Sequence, residues 1–452
     1  MMRSVCRLGS MWGVVGIVAL ASCGGSGSTA SSGTTSTSGA GGGTSSGTTS
    51  TSSGAGGDGG SVGAPFSSKG ASSYEAQTAL AADGKGAVLA AWIGFFTDGT
   101  SAIGYAVSRD AGETWTAPAY AKSPDGRLAS NPVVAVDGQG RFSLAWLGFR
   151  ADALTPDEHV YVARLDAASE TFGAPVIASD DGSATSRDFD KPSLAVDAND
   201  NLLLTWADFT GANMGTPPSL TFARSVDGAS FARTTITADA SFGNLAALCL
   251  DSAVGPAAPL YLVHLGAGAT VTLRRSTDLG KTWPTLAVPA TDVVFQDVTC
   301  AVHGSDLWIA YASGTAVFSP SLDSPGDAVN VVHSATGGDS FDQPVTVSNG
   351  GAGTQYLFPR IARAPSGELG IAYYQGTVGG AASLMLATSA SGAAWASATL
   401  GMAGTFTIDR TLASWLGAYL GLARTAAGTF ASFTENSAGK AHVTFAKQAA
   451  AK

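Results

Sequence analysis

A hairpin pattern of apolar residues recurs along the chain. One copy reads Asn131-Pro132-Val133-Val134-Ala135-Val136-Asp137, then a glycine-bearing turn, then Phe142-Ser143-Leu144-Ala145-Trp146. Apolar runs of about five residues that end at Asp, Gly or Asn turns are typical of buried strands. Comparable hairpins lie around residues 80–92, 191–206, 245–264, 298–311, 359–374 and 420–433. The pattern predicts an all-β chain built from repeats.

A third strand follows each hairpin and a fourth strand follows most of them. The predicted third strands are residues 104–107, 160–164, 220–224, 271–275, 329–333, 384–388 and 442–447. Examples of the fourth are Pro175-Val176-Ile177 and Pro344-Val345-Thr346-Val347. The repeat spacing, mostly about 55 to 60 residues, suits a four-stranded unit with loops. We therefore expect seven repeats of four strands.

A polar motif follows the third strand of two repeats. Both copies have the form Ser-x-Asp-x-Gly-x-Thr-Trp. They consist of Ser108, Asp110, Gly112, Thr114 and Trp115, and of Ser276, Asp278, Gly280, Thr282 and Trp283. Ser and Asp accept hydrogen bonds from nearby backbone N–H groups in a tight turn, glycine adopts positive φ, and tryptophan packs on a neighbour. We expect a structural role for these residues. Weaker copies lie at residues 164–172, 225–231, 334–341 and 389–395.

This motif resembles the Asp-box, or BNR repeat, of sialidase-like β-propellers, and the resemblance covers roughly residues 66–449. It implies a single β-propeller of four-stranded blades. We predict seven blades, and six remains an alternative because sialidases usually have six. The seventh repeat ends after its third strand, so we expect the segment near residues 65–68 to supply its outer strand. Pairing of N- and C-terminal strands would close the ring without exposed sheet edges.

The N-terminus resembles a bacterial lipoprotein signal. Arg3 and Arg7 precede an apolar stretch over residues 11–21, which is shorter than a membrane-spanning helix and ends at Leu20-Ala21-Ser22-Cys23. The resemblance implies a signal peptide over residues 1–22 and a lipid on Cys23; an ordinary secretory signal is the alternative. Gly24 after the cysteine favours the bacterial outer membrane or cell surface as the location.

Residues 23–64 are almost wholly Gly, Ser, Thr and Ala after the cysteine, too polar to fold, so we expect a flexible linker before a propeller domain over residues 65–449. The formal net charge of −10 disfavours nucleic acid or an anionic membrane surface as a partner. We expect a monomer that meets the membrane only through its lipid anchor.

Cys249 and Cys300 occupy near-equivalent positions in successive repeats. In a compartment that permits disulfides they could join neighbouring blades, or both could remain free thiols. When the two repeats are aligned, the two cysteines are offset by one residue. In a strand, such an offset would turn one cysteine side chain away from the other, unless a bulge restores its direction.

The resemblance places ligand binding at the end of the channel opposite the motif turns. That end is formed by loops between second and third strands and by the segments leading into first strands. Aromatic, acidic and arginine side chains there suit sugar binding, or else plug the channel mouth. The candidate ligand-binding residues are Phe95, Phe96, Phe149, Arg150, Arg187, Asp188, Asp190, Asp297, Arg360, Arg410, Trp415 and Tyr419.

Three functions stay open: binding of a glycan or surface protein, which we favour, hydrolysis as an exo-sialidase or related glycoside hydrolase, and a structural role in the envelope. A sialidase needs three arginines for the substrate carboxylate, for which Arg360, Arg410 and one of Arg150 or Arg187 are candidates. It also needs a tyrosine nucleophile, for which Tyr374 or Tyr419 is a candidate. The first-repeat strand, Glu75-Ala76-Gln77-Thr78-Ala79-Leu80, lacks the expected arginine, and Ala418 replaces an acid common in related propellers. We expect no cofactor and no metal, since the five histidines lie in five different repeats without paired spacing.

Overall fold

The strands form seven antiparallel sheets, each of at least four strands, as a computed structural model shows. It describes residues 60–64, 66, 70–150, 156–180, 182, 187–210, 218–237, 246–266, 268–294, 296, 298–314, 326–348, 350–377, 380–408 and 412–450. Cys23, Asp297 and Arg410, named above, lie outside these residues. In the described part of the chain, no helix is long and apolar enough to cross a membrane.

Blades 1 to 3 take up the first half of the domain. Blade 1 contains β2 (Tyr74–Ala82), β3 (Val88–Phe95), β4 (Ser101–Ser108) and β5 (Ala119–Ala121). Blade 2 contains β6 (Leu128–Val136), β7 (Phe142–Phe149), β8 (His159–Asp166) and β10 (Val176–Ile177), and β9 (Thr171–Phe172) also pairs with β8. Blade 3 contains β11 (Phe189–Val196), β12 (Leu202–Asp208), β13 (Ser219–Ser225) and β14 (Ala232–Thr237).

Blades 4 to 6 repeat the same order. Blade 4 contains β15 (Ala247–Cys249), β16 (Leu260–Gly266), β17 (Thr270–Ser276) and β18 (Thr285–Ala287). Blade 5 contains β19 (Thr299–His303), β20 (Asp306–Ser313), β21 (Ala328–Ser334) and β22 (Val345–Thr346). Blade 6 contains β23 (Gln355–Arg363), β24 (Leu369–Gly376), β25 (Ala381–Ser389) and β26 (Ala396–Thr407). Two short 3-10 helices lie at Ser252–Val254 and Leu412–Ser414.

Blade 7 combines both ends of the domain. Its inner strands are β27 (Gly421–Thr425), β28 (Gly428–Glu435) and β29 (His442–Ala449), and its outer strand is β1 (Ser61–Val62). Ser61 pairs with Lys447 and Val62 with Ala446. The fold is therefore a seven-bladed β-propeller closed by its termini, as predicted, and the six-bladed alternative is wrong.

The closing strand starts earlier than expected. It lies at Ser61–Val62, inside the range assigned to the linker, and not near residues 65–68. The pairing needs only backbone groups, so the small polar residues there gave no apolar pattern to mark a strand. Phe66 instead inserts its ring against Trp92 of blade 1, with ring centroids 4.7 Å apart.

An apolar cluster fills each gap between adjacent blades, including the gap between blades 7 and 1, where Phe430 and Phe445 pack with Leu80 and Trp92. Because every blade is buried on both faces, its middle strands read as continuous apolar runs rather than alternating ones. This is why the hairpin pattern was visible in the sequence.

The Ser-x-Asp-x-Gly-x-Thr-Trp segments form turns, called Ser-Asp turns below, after β4 and β17. The Ser108 hydroxyl donates to Asp110 and accepts from the Gly112 N–H, while Asp110 accepts from the N–H and hydroxyl of Thr114. The second copy repeats this network around Asp278. Trp115 packs on Phe445 and Trp283 on Phe222, so each turn is held against the preceding blade.

A disulfide joins Cys249 in β15 to Cys300 in β19, with Cα atoms 6.0 Å apart. It links the first strands of blades 4 and 5. Neither strand shows a register shift among its paired residues, so no bulge is needed. β15 and β19 belong to different sheets and are not paired by backbone hydrogen bonds. A one-residue offset in sequence therefore does not fix how the Cys249 and Cys300 side chains point relative to each other.

Candidate functional site

The two faces of the ring differ in their loops. The lower face carries the Ser-Asp turns and the turns between first and second strands. The upper face carries the loops between second and third strands and the segments that lead into each first strand. The candidate ligand-binding residues were predicted on the loops and segments of this upper face.

First strands of four blades share a bulge near the channel. In blades 2, 3 and 6 the register shifts around an X-Pro pair, and the residue before proline, Asn131, Lys191 or Phe358, has positive φ. Proline has no N–H to donate to the ladder, which favours a bulge at that point. In blade 1 the same position is Gln77, with φ 56° and no proline.

A buried polar network connects two of these bulges across the gap between blades 2 and 3. Asp190 Oδ1 accepts from Asn131 Nδ2 at 2.8 Å and from Lys191 Nζ at 3.2 Å. Lys191 Nζ also lies 3.5 Å from Asn131 Oδ1. A buried ion pair of this kind is stable only with such additional hydrogen bonds.

One small cavity lies among the first strands beside the channel. Tyr419, in the segment before blade 7, borders it, and the Tyr419 hydroxyl donates to the Pro132 carbonyl of blade 2 at 3.3 Å. The volume of this cavity is about 50 Å³. Its charged and phenolic lining residues are Lys191, Arg360 and Tyr419, and the rest of the lining consists mainly of the first strands of blades 1 to 4 and the start of blade 7. A monosaccharide does not fit in this space.

A charged cluster lies on the upper rim of blades 2 and 3. This rim cluster consists of Arg127, Arg150, Asp157, His159 and Arg187. Arg127 binds the Asp157 carboxylate and donates to its backbone carbonyl at 3.1 Å, and Arg150 Nε lies 3.5 Å from the same carboxylate. His159 Nε2 lies 3.7 Å from Asp157, and His159 Nδ1 lies 3.4 Å from Arg187.

Backbone pairing holds the rim cluster together. Asp157 forms a parallel bridge with Arg187, Glu158 N–H donates to the Arg187 carbonyl, and Arg187 N–H donates to the Pro156 carbonyl. Arg127 also pairs with Asp125, and Arg187 lies 3.5 Å from Asp180. The two buried arginines therefore lie beneath a layer of more exposed carboxylates. Burial, with the positive charges of Arg127 and Arg187, lowers the pKa of His159.

Glu158 lies between the rim cluster and the buried network. Its carboxylate accepts a hydrogen bond from the Phe189 N–H. Burial and the negative charges of Asp188 and Asp190 raise the pKa of Glu158 well above its ordinary value. A carboxyl group in this position holds its proton more firmly than an exposed glutamate does.

The predicted aromatic residues do not share one surface. Phe95 and Phe149 are buried, Phe95 against Tyr74 and the partly buried Trp415. Phe96 is partly exposed but packs edge-on against Tyr120. Both residues lie at the ends of second strands, and ligand contact through them stays a prediction.

The structure divides the remaining candidates into two groups. Arg150 and Arg187 belong to the rim cluster, and Asp188 and Asp190 adjoin it through Glu158. Arg360 and Tyr419 line the channel cavity instead. The suggested arginine grip is thus split, since Arg150 lies beside Asp157 and Arg187 beside Asp180, while Arg360 faces the cavity from blade 6.

The suggestion of Tyr374 as a nucleophile is also wrong. Tyr374 is fully buried, its hydroxyl donates to the Thr434 carbonyl at 3.0 Å, and it accepts from the Thr434 N–H at 2.8 Å. Burial raises the pKa of its phenol far above the ordinary value. This side chain joins blades 6 and 7 and has no access to a substrate.

Sequence reasoning missed Arg127, Asp157, Glu158, His159 and Asn131. The run Asp157-Glu158-His159 directly before an apolar third strand was the available signal, since no other third strand begins with three ionisable residues. Within the described residues, no group of three or more His, Cys, Asp or Glu side chains is placed to hold a metal ion.

Comparisons with known proteins return structures alone. No family model matches the chain, and no curated protein matches it. A protein of unknown function from Dyadobacter fermentans is 14% identical, with 71% of this chain and 94% of that one covered and a TM-score of 0.48. A Hadza microbial sialidase is 14% identical, with 73% and 66% covered and a TM-score of 0.48.

Trypanosoma rangeli sialidase is 13% identical over 83% of this chain, with a TM-score of 0.48, and this chain spans 54% of its length. Identities and TM-scores this low carry no argument about function. The seven-bladed fold rests on the sheet topology of the chain itself.

Proposed function

We propose that the protein binds glycans on its upper face, at the rim cluster of blades 2 and 3. The observation that carries the proposal is the convergence of Arg127, Arg150 and His159 on the partly exposed carboxylate of Asp157. The pairing fixes donors and acceptors side by side before any ligand arrives. Such preorganisation lowers the entropic cost of binding.

The chemistry of the rim cluster suits hydroxyl groups. Guanidinium groups donate in a fixed planar fork, carboxylates accept, and a neutral imidazole does one of each. Since the lowered pKa keeps His159 uncharged at neutral pH, the cluster offers both kinds of hydrogen bond. A sugar hydroxyl both donates and accepts, whereas a simple anion would have to displace Asp157 from its arginines.

The cavity beside Tyr419, of about 50 Å³, is too small for a monosaccharide. We therefore assign glycan binding to the rim cluster and not to this cavity. A surface protein is the alternative ligand. If no ligand is found, a purely structural role in the envelope is the remaining proposal.

The test is a glycan-array screen of the full chain, followed by titration of any retained glycan. Arg150→Ala removes an exposed arm of the cluster, and Arg109→Ala is the matched control. Arg109 is similarly exposed (42% against 44%) and pairs with Glu170 at the lower face. We expect Arg150→Ala to weaken binding by about tenfold, the effect of losing one charged hydrogen bond, and Arg109→Ala to change nothing. Retention of no glycan, or equal binding by both variants, would refute the proposal.

A glycoside hydrolase is the second candidate, and Glu158 is the observation that favours it. A carboxyl group with a raised pKa beside Asp188 has the property required of a general acid. If the protein hydrolyses glycosides in this way, activity should fall as the pH rises through the raised pKa of Glu158, because the acid then loses its proton.

The hydrolase is tested by release of a fluorophore from an aryl sialoside across a pH series. Glu158→Gln and Arg360→Ala are the informative variants, and Glu170→Gln on the lower face is the control. Release that Glu158→Gln abolishes and Glu170→Gln preserves would make this an enzyme. No release above a buffer blank would leave binding as the function.

The location of the protein is also part of the proposal. A lipid on Cys23 would attach the chain to the outer membrane or cell surface, and the polar residues up to Gly60 would tether the propeller. About 40 flexible residues have an r.m.s. reach on the order of 35 Å, enough to clear a headgroup layer. Labelled palmitate should be incorporated by the wild type and not by Cys23→Ser. Equal labelling would contradict the anchor.

A further inference from the structure

Three large apolar side chains are exposed in the described part of the chain, and all three lie on the lower face. Val226 is 68% exposed, Val254 55% and Leu279 42%. Val226 follows the third strand of blade 3, Leu279 follows that of blade 4, and Val254 lies between the first two strands of blade 4. Single exposed apolar residues are common on protein surfaces, but a group on two neighbouring blades marks a candidate interaction surface.

The three side chains lie on one stretch of the lower face, called the apolar patch below. The loop with Val254 and the turn with Leu279 lie side by side, because Leu260 at the end of the loop pairs with Ser276 at the start of the turn. The same turn packs on β13 of blade 3, which ends directly before Val226. The Leu279 turn therefore lies between the other two sites.

The loop between β15 and β16 differs from its counterparts. It covers residues 250–259, ten residues, whereas the corresponding turns of the other six blades have five or fewer. Its exposed residues include Ala253, Val254, Pro256 and Ala257. Hairpin turns are normally built from Gly, Asn, Asp and Ser. Formation of the hairpin therefore does not account for the length or the apolar composition of this loop.

The base of this loop is fixed to blade 5. Asp251 accepts hydrogen bonds from the Ala253 N–H at 3.0 Å and from the Gly304 N–H at 2.8 Å. His303 Nδ1 lies 3.2 Å from the same carboxylate. The loop thus presents Val254 in a defined position, which lowers the entropic cost of binding.

The turn residues of the apolar patch are larger or more apolar than turn geometry requires. Leu279 has φ +62°, and the equivalent residues are Ala111 in blade 1, with φ +55°, and Gly337 in blade 5, with φ +65°. Positive φ is readily adopted by Gly, Asn and Asp and not by leucine. Val226 takes the position of Arg109 in blade 1. Both departures from the repeat add apolar surface at the same place.

We propose that the apolar patch contacts the headgroup–acyl boundary of a zwitterionic lipid bilayer. The proposal rests on the lipid anchor proposed for Cys23. β1 begins at the lower face, so an N-terminal anchor turns this face towards the membrane. The linker has an r.m.s. reach on the order of 35 Å and allows the lower face to tilt until blades 3 and 4 touch the bilayer. Aliphatic side chains are stabilised at this depth by burial of their apolar surface.

The charges beside the apolar patch fit a zwitterionic surface better than an anionic one. Hydrogen bonds from Ser230 lower the pKa of Asp227, and those from Thr282 lower the pKa of Asp278, so both carboxylates are ionised. The exposed Lys281 balances one of them. Burial of aliphatic side chains needs no headgroup charge. The contact adds a second, weaker attachment to the lipid anchor.

The experiment imposes the anchor chemically. The chain from Cys23 onwards is coupled through the Cys23 thiol to a maleimide phospholipid in phosphatidylcholine vesicles that contain a photoreactive diazirine phosphatidylcholine. Coupling is selective because Cys249 and Cys300 form a disulfide. The result therefore does not depend on lipidation in the cell, and this proposal and the anchor can fail separately.

We expect lipid adducts, mapped by mass spectrometry after illumination, to concentrate in residues 250–259 and 276–283. The adducts should persist at high salt, because an apolar contact is not screened. Adducts spread evenly over both faces, adducts confined to the upper face, or adducts lost at high salt would each overturn the proposal.

A double variant tests the side chains themselves. Val254→Asn with Leu279→Asn should lower the adduct yield in the two segments by about tenfold, because less apolar surface is transferred from water. Asparagine adopts positive φ readily, so the change at Leu279 keeps the turn. Ala111→Asn, at the equivalent position of blade 1, is the matched control and should leave the yield unchanged. An unchanged yield in the double variant would overturn the proposal.

A second copy of the chain is the competing occupant of the apolar patch. Sedimentation of the uncoupled chain from Cys23 onwards should show a monomer for both the wild type and the double variant. A wild-type dimer that the double variant dissociates would assign the apolar patch to a second copy and would overturn the lipid contact.

Discussion

At the scale of single residues, aspartates in the Ser-Asp turns use their carboxylates to satisfy backbone N–H groups. Hydrogen bonds from Thr114, then from Ser108, lower the pKa of Asp110 to about 2, and bonds from Thr282, then from Ser276, lower the pKa of Asp278 to about 2. Both groups are ionised throughout the neutral range. Each carboxylate accepts its hydrogen bonds from residues of its own turn.

The depressed pKa values predict the pH dependence of this stabilisation. Because the folded-state pKa is below the unfolded value of 3.8, the contribution is fully present above about pH 4 and is lost as the pH falls to about 2. Asp110→Asn should therefore destabilise the protein at pH 7 and lose its difference from the wild type near pH 2. Urea unfolding at pH 7, 4 and 2.5 measures this. A difference between the two proteins that does not shrink with acid would contradict the assignment.

Tyr374 provides a second prediction at this scale. Its hydroxyl makes two hydrogen bonds to the Thr434 backbone inside the protein, and Tyr374→Phe leaves that N–H and carbonyl unsatisfied. We expect a loss of about 1–3 kcal/mol in the free energy of unfolding. Tyr373→Phe is the control, since the Tyr373 hydroxyl bonds a side chain, the Ser397 hydroxyl at 3.2 Å, and not a pair of backbone groups in the described residues. Equal losses in the two variants in urea unfolding would refute the special role of Tyr374.

At the scale of elements, the Ser-Asp turn joins one blade to the one before it. Gly280 has φ +87°, and an added Cβ would lie 2.0 Å from Cε1 of Phe222 in blade 3. Gly112 has the same relation to Phe445 of blade 7. Glycine is therefore needed twice over, for its backbone conformation and for the close approach of the neighbouring ring.

These two requirements can be separated by substitution. Gly84→Ala tests backbone conformation alone, because Gly84 has φ +74° and open space around it, and should cost about 1–2 kcal/mol. Gly280→Ala adds a clash with a buried ring and should cost about 1–3 kcal/mol more. Comparison of the two unfolding free energies in urea gives the contribution of the blade contact. Equal costs would mean that Phe222 moves aside freely.

The elements were largely predictable and the site was only partly so. Apolar runs such as Val133 to Val136 and the repeated Ser-Asp motif reveal blades, because both depend on local sequence. The rim cluster depends on three-dimensional proximity between segments near residues 127, 157 and 187, which no local pattern encodes. Arg150 and Arg187 were selected by their loop positions alone, and their partner Asp157 was not selected at all.

At the scale of the whole molecule, ring closure depends on a segment whose sequence gives little sign of it. β1 runs from the lower face towards the upper face, antiparallel to β29, and Phe66 then packs on Trp92 and Trp115 before the chain enters blade 1. The chain therefore enters β1 at the lower face, opposite the rim cluster. The proposed lipid anchor on Cys23 would accordingly present the rim cluster away from the membrane.

Two truncations test the closure. A variant lacking residues 1–59 keeps Ser61–Val62 and Phe66, whereas a variant lacking residues 1–66 loses both. Removal of a buried phenylalanine alone costs about 3–5 kcal/mol, and loss of β1 also exposes the backbone edge of β29 near Ala446. We expect the first variant to unfold at the temperature of the full chain and the second at a clearly lower temperature, with greater aggregation. If both unfold at the same temperature, closure by β1 contributes nothing, and blade 7 would be stable with three strands because the apolar cluster it shares with blade 1 suffices.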